Sequence, residues 1–156
     1  LLQKLKNKKQ MKKNFKTIIL SATVAAMALV SSCTKTCDPG YEGSDCKTAM
    51  NTKFSGTYAV KDTASSADTT LYFNYSMTVS SPSSEPAKVN ISNFGGFGSG
   101  TTISGTVDGT SLKLDNTTLA GVQISNATGT ISGSKLAFTY TSNDGTAFTS
   151  HAVGTK

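Results

Sequence analysis

Beyond residue 46, apolar and polar residues alternate at period two in short runs, and no stretch repeats at the spacing of an amphipathic helix. The clearest run is Leu71-Tyr72-Phe73-Asn74-Tyr75-Ser76-Met77-Thr78-Val79, in which Leu71, Phe73, Tyr75, Met77 and Val79 share one face. Aromatic and aliphatic residues on that period predict a half-buried strand. Val89 with Ile91, Ile103 with Val107, Leu112 with Leu114, Val122 with Ile124, and Leu136-Phe138-Tyr140 repeat the pattern. Between the runs stand turn formers. Asp108-Gly109 and Asn143-Asp144-Gly145 supply the positive-φ residues of tight hairpins, and Ser132-Gly133-Ser134 is a weaker version.

These signals predict eight strands, at 54–61, 71–80, 86–93, 101–107, 110–115, 121–131, 134–141 and 146–153. Consecutive strands joined by short turns form a meander, and closing the meander removes both exposed edges. The expected fold class is all-β, an up-and-down barrel of about eight strands, with a two-layer β-sandwich as the alternative. A barrel of this size is either filled by side chains or holds one small ligand. Phe73, Tyr75, Met77, Phe138 and Tyr140 are bulky, which favours a filled or shallow interior.

Length and charge change the picture at the N-terminus. The chain has 156 residues, three Cys, one His and no Trp, with 15 basic side chains against 9 acidic ones and a net charge of +6. That length fits one domain with a tail. The first Met is Met11, and residues 1–10 read as translated upstream sequence. Lys12, Lys13 and Lys16 then precede an apolar run over 17–30, too short for the ~20 apolar residues of a spanning helix. A basic region followed by a short apolar one reads as an export signal over 11–32. Seven lysines lie before Cys33 and all nine acids after it, so the remaining chain carries eight lysines against nine acids. The basic balance therefore reports on export, and nucleic acid is excluded as a partner.

The signal ends in Val30-Ser31-Ser32-Cys33, which resembles the lipobox of bacterial lipoprotein signal peptides. The resemblance implies that Cys33 becomes the N-terminus and carries acyl chains, which anchor a protein without spanning the bilayer. Thr34, where inner-membrane retention would favour Asp, resembles lipoproteins sent on to the outer membrane. Thr34-Lys35-Thr36 lacks the acidic residues of surface-exported relatives, which favours periplasm-facing attachment over the cell surface. With Cys33 lipidated, Cys37 and Cys46 remain as an even pair in an oxidising compartment. Their segment, Cys37-Asp38-Pro39-Gly40-Tyr41-Glu42-Gly43-Ser44-Asp45-Cys46, resembles the last disulfide loop of an EGF-like module. The other EGF cysteines are missing, so residues 33–53 are expected to form a stapled, lipidated spacer ahead of a barrel over 54–156.

Three further stretches, Phe54-Ser55-Gly56-Thr57-Tyr58, Ile91-Ser92-Asn93-Phe94-Gly95-Gly96-Phe97-Gly98 and Gly129-Thr130-Ile131-Ser132-Gly133, together with the tail, look like small lipoproteins of the Bacteroidetes type. Gly56-Thr57-Tyr58 is also similar to the Gly-x-Trp that opens lipocalin-like barrels, with Tyr58 in place of the Trp that helps to close the barrel base. Asp62-Thr63-Ala64 and Asp68-Thr69-Thr70 resemble the O-glycosylation triplets of this bacterial group, making Thr63 and Thr69 candidate modification sites in a Ser/Thr-rich loop.

Candidate chemistry is sparse. His151, the single His, has no nucleophile motif nearby, and none of His-x-x-x-His, Cys-x-x-Cys or Asp-x-Asp-x-Asp-Gly occurs. The Gly-rich stretch Asn93-Phe94-Gly95-Gly96-Phe97-Gly98-Ser99-Gly100 runs into a strand rather than the helix that a phosphate loop needs. Phe94 and Phe97 on that loop either plug a barrel end or form the lip of an apolar pocket. No catalytic residue, metal or cofactor is expected. The expected function is a non-enzymatic, membrane-anchored envelope module for binding or structure, with an envelope protein or a small apolar ligand as partner. The alternatives are a lipocalin-like carrier of such a ligand and a carboxylate-dependent hydrolase. Cys33→Ser is expected to move the protein from the membrane to the soluble fraction of lysed cells; unchanged membrane association would defeat the anchor.

Overall fold

Alternation at period two puts every second side chain on one face, and in this chain those faces close around a common interior. The computed structural model describes residues 36–156. Residues 1–32 and Cys33, which carry the signal and lipidation readings, lie outside them. A small hairpin of β1 (Tyr41–Glu42) and β2 (Thr48–Ala49) comes first. The main sheet follows: β3 (Gly56–Ser65), β4 (Thr70–Ser80), β5 (Lys88–Ser92), β6 (Thr102–Asp108), β7 (Ser111–Leu114), β8 (Thr117–Leu119), β9 (Val122–Ser132), β10 (Lys135–Asn143) and β11 (Ala147–Thr155).

All pairings are antiparallel, and the last strand returns to the first. β11 pairs with β3 from Thr149 opposite Ser65 to Thr155 opposite Ala59. The result is a closed eight-strand barrel with one extra short strand, the fold class that the alternation predicts. The extra strand is β8. It and β7 pair with successive stretches of β9, so the expected strand at 110–115 continues past a break at Asp115 and Asn116. The polar Thr117-Thr118 pair hid the continuation. The first expected strand, at 54–61, instead begins at Gly56 and runs to Ser65, because Met50–Phe54 forms a 3-10 turn.

The register defines two ends. At the base lie the Met50–Phe54 turn, the β6–β7 and β9–β10 hairpins and the C-terminus; at the mouth lie the β3–β4 and β10–β11 hairpins and the loop between β5 and β6. Between them the interior is filled. Val60, Met77, Val79, Val89, Ile91, Ile103, Val107, Leu112, Leu114, Ile124, Leu136 and Phe138 are all buried in one cluster. Gly129 makes room for that packing, since a Cβ there would sit 2.8 Å from the Phe138 ring and 2.9 Å from the Ala137 carbonyl oxygen. Opposite the register shift between Thr139 and Thr141, Asn126 takes a left-handed φ of 53°. That bulge resets the phase of β9, so Ile124 and Ala127, three residues apart, both point inward.

The base is closed by hydrogen bonds. Tyr58, fully buried, donates its hydroxyl to the Phe54 carbonyl at 2.8 Å. Asn51, also buried, lies with its amide nitrogen 3.1, 2.9 and 2.9 Å from the carbonyl oxygens of Pro82, Glu85 and Lys88, pinning the β4–β5 connection. Ser81 returns the contact by donating to the Asn51 carbonyl at 2.7 Å. The Cys37–Cys46 disulfide forms as expected. The loop that it closes is tied to the turn that follows it. Met50 donates its amide to the Gly40 carbonyl at 2.8 Å, and the Lys53 ammonium lies 2.6 Å from Glu42.

Truncating the buried Asn51 removes the donor shared by three part-buried carbonyls, a change that costs about 1–3 kcal/mol. Asn51→Ala is therefore expected to lower the urea unfolding midpoint with an unchanged slope; an unshifted midpoint would mean that the 80–88 connection is held by something else.

Candidate functional site

The weakest seam of the barrel fixes where a site can form. β4 pairs with β5 over only three positions, Thr78 to Ser80, so the upper half of β4 has no strand beside it on that side. The Gly-rich loop fills part of the gap. Asn93 adopts φ 56° and clips the loop from both sides, donating to the Ser76 carbonyl at 2.7 Å and accepting from the Gly98 amide at 2.8 Å. The loop is folded over the barrel rather than loose, and Gly96, with φ +74°, rests against the Tyr75 ring.

The two phenylalanines of this loop part company. Phe94 is fully buried, 5.5 Å from the Phe138 ring centroid in an edge-on arrangement and 4.8 Å from that of Tyr140. It plugs the barrel and cannot be a lip residue. Phe97 is half-buried and lines a cleft of about 490 Å³ above that plug. The cleft is walled by Leu71, Phe73 and Tyr75 from β4, Gly95 to Phe97 from the loop, and Tyr140, Phe148 and Ser150 from β10 and β11. Leu71 and Phe73 share the inward phase of β4, as the alternation predicts, but remain 40% and 46% exposed. They therefore face an open mouth instead of filling the interior. The reason is the missing neighbour strand.

Below the cleft floor lies a buried acid. Asp62 is 3% exposed on β3, and its Oδ2 accepts from the Tyr75 hydroxyl at 3.2 Å and the Tyr140 hydroxyl at 2.5 Å. Tyr140 reaches it from β10 across β11, where the intervening inward residues are the small Ser150 and Ala152. Asp62 Oδ1 is buried without a hydrogen-bond partner, a costly state for an acidic oxygen. Burial, reinforced by Tyr140 and Asp62, holds the Tyr75 phenol above its ordinary value of 10. Burial and the hydrogen bond to Asp62 raise Tyr140 likewise.

Asp62 is the residue that motif reading overlooks, because Asp62-Thr63-Ala64 looks like a modification triplet in a loop. The triplet in fact lies within β3, with Thr63 on the outer face opposite Tyr72 and His151. Thr69 is exposed at the turn before β4. The available signal was phase, since Tyr58, Val60, Asp62 and Ala64 form one inward row. His151 faces outward, its Nδ1 3.3 Å from the Thr139 hydroxyl, in a shallow groove of about 640 Å³ on the outer wall. That groove is larger but more open, and Asp108, Lys113 and four threonines are among its lining residues. Among the described residues no three His, Cys, Asp or Glu side chains gather into a metal-binding group.

No protein-family model and no curated protein matches the chain. Among solved structures it is similar to a Bacteroides fragilis protein provisionally described as an outer membrane protein, with a TM-score of 0.46 and 20% identity. The match covers 69% of this chain and 54% of that protein, so the chain spans about half the other's length.

The raised phenols set a pH dependence. Tyr75 and Tyr140 keep their protons in the folded state at pH values where the unfolded chain, near its ordinary value of 10, has lost them. Their contribution to stability is complete below about pH 10 and is lost as pH rises toward the folded values. The melting temperature is expected to fall steadily above about pH 10 in the native chain and less steeply in a Tyr75→Phe variant. Equal slopes in the two would remove the buried phenol from the account.

Proposed function

We propose that this chain is a non-enzymatic binding module of the bacterial envelope, held to a membrane through Cys33, and that it takes its ligand in the cleft at the barrel mouth. The observation that carries the reading is an open, aromatic-walled cleft set above a solid interior. Pockets that bind small molecules are mostly apolar with a few placed polar groups, and this cleft has that composition. The filled interior argues against a carrier that swallows its ligand within the barrel. The ligand instead sits between the β3–β4 hairpin and the Gly-rich loop.

A hydrolase would need two acids facing one another across the cleft. Asp62 lies beneath the floor behind two phenols, and the Asp144 carboxylate accepts from the Thr146 amide at 3.3 Å in the β10–β11 turn. That arrangement favours binding over bond cleavage. The membrane anchor, the outer-membrane address and the kinship with Bacteroidetes-type lipoproteins rest on the Val30-Ser31-Ser32-Cys33 motif and the residues around it.

The neutral fluorophore N-phenyl-1-naphthylamine is expected to brighten and shift to the blue on mixing with the purified chain. Phe73→Ser, which removes the ring from the cleft wall without adding a charge opposite Asp62, is expected to weaken the response several-fold in a chain that still melts cooperatively. A native chain that leaves the dye dark would sink the proposal.

A further inference from the structure

We infer that the mouth cleft is an aromatic cage for an organic cation, an ammonium group carried on an apolar body. The inference rests on the cleft being a binding site and names what it binds. Five aromatic side chains line it from the inward faces of their strands and the loop: Phe73, Tyr75, Phe97, Tyr140 and Phe148. The charged residue of the lining is Asp144, and neither Lys, Arg nor His contributes to it. Ring faces present negative potential, so a group of them without a basic residue attracts a cation and disfavours an anion.

The buried acid is the second, independent observation. Asp62 Oδ1 has no hydrogen-bond partner, and no ion pair reaches Asp62 among the described residues, where the one pair found joins Lys53 to Glu42. A buried carboxyl group in that state is stabilised by any positive charge brought close to it. The two phenols that donate to it are themselves walls of the cleft. Each donation polarises the O–H bond and enriches the phenol oxygen and ring in electron density. The two hydrogen bonds thereby connect the buried acid to the surface that a ligand would touch. A primary, secondary or quaternary ammonium group fits this chemistry, while a carboxylate, sulfonate or phosphate does not.

Three compounds of one shape separate the possibilities: choline, the uncharged 3,3-dimethyl-1-butanol and the anionic 3,3-dimethylbutanoate, each used to displace N-phenyl-1-naphthylamine from the purified chain. Choline is expected to displace the dye at a concentration about tenfold below the alcohol, with the anion weakest. Asp62→Asn is expected to bring choline and the alcohol to near parity. Should that variant melt at room temperature, Phe73→Leu, which keeps an apolar wall but removes a ring, is expected to weaken choline several-fold and leave the alcohol unchanged. If the alcohol or the anion displaces the dye as well as choline does, the cage is overturned and the cleft stands as a neutral apolar site. If the dye itself fails to bind, both readings fall together.

Discussion

Closure of the barrel, through the pairing of β11 with β3, is the constraint on which the rest of this structure depends. Seven consecutive residue pairs join the last strand to the first, and they remove the two edges that a meander otherwise leaves open to other chains. A closed ring of eight strands encloses a narrow interior, so the inward residues must fill it, and they do so from Tyr58 at the base to Phe94 near the mouth. Closure also fixes phase. Once β3 is held between β4 and β11, residue 62 has no choice but to face inward, and an acid there must be satisfied by what lies opposite. Tyr75 and Tyr140 do this for one oxygen and leave the other without a partner.

The ring is not uniform. Where β3 meets β4 the ladder runs for the full length of β3, from Gly56 to Ser65, but where β4 meets β5 it lasts three residues. The upper part of β4 thus stands as one wall of a gap, and the Asn93-clipped loop with Phe97 stands as the other. The cleft is a consequence of this unequal pairing rather than of a widened barrel. The base shows the opposite solution. There the Met50–Phe54 turn, the disulfide loop and the Asn51 amide are layered over the barrel end.

The strands were legible because alternation and turn chemistry agree. Leu136-Phe138-Tyr140 and the Asn143-Asp144-Gly145 turn mark β10 and its hairpin without help from distant parts of the chain. Burial was less legible, because it depends on partners that no local pattern names. Phe73 and Met77 occupy the same phase of β4, yet one is half-exposed and the other buried, and only the extent of β5 decides between them. Phe94 and Phe97 are three residues apart in one Gly-rich loop, and the left-handed Gly95 and Gly96 between them send them to different places. Asp62 was hidden for another reason. Its triplet invites a local reading, whereas its role comes from Tyr140, which lies 78 residues further along the chain.

Resonance assignment of the purified chain, followed by titration with choline, puts the central claim, a cation-binding cleft at the barrel mouth, to its most direct test. Chemical-shift changes centred on the rings of Phe73, Phe97 and Phe148 and on the Tyr75 and Tyr140 phenols, with the base residues Val89 and Leu136 unmoved, are the result that the account predicts. Changes that centre on the outer groove around Thr128 and His151, or an unperturbed spectrum at saturating choline, would contradict it.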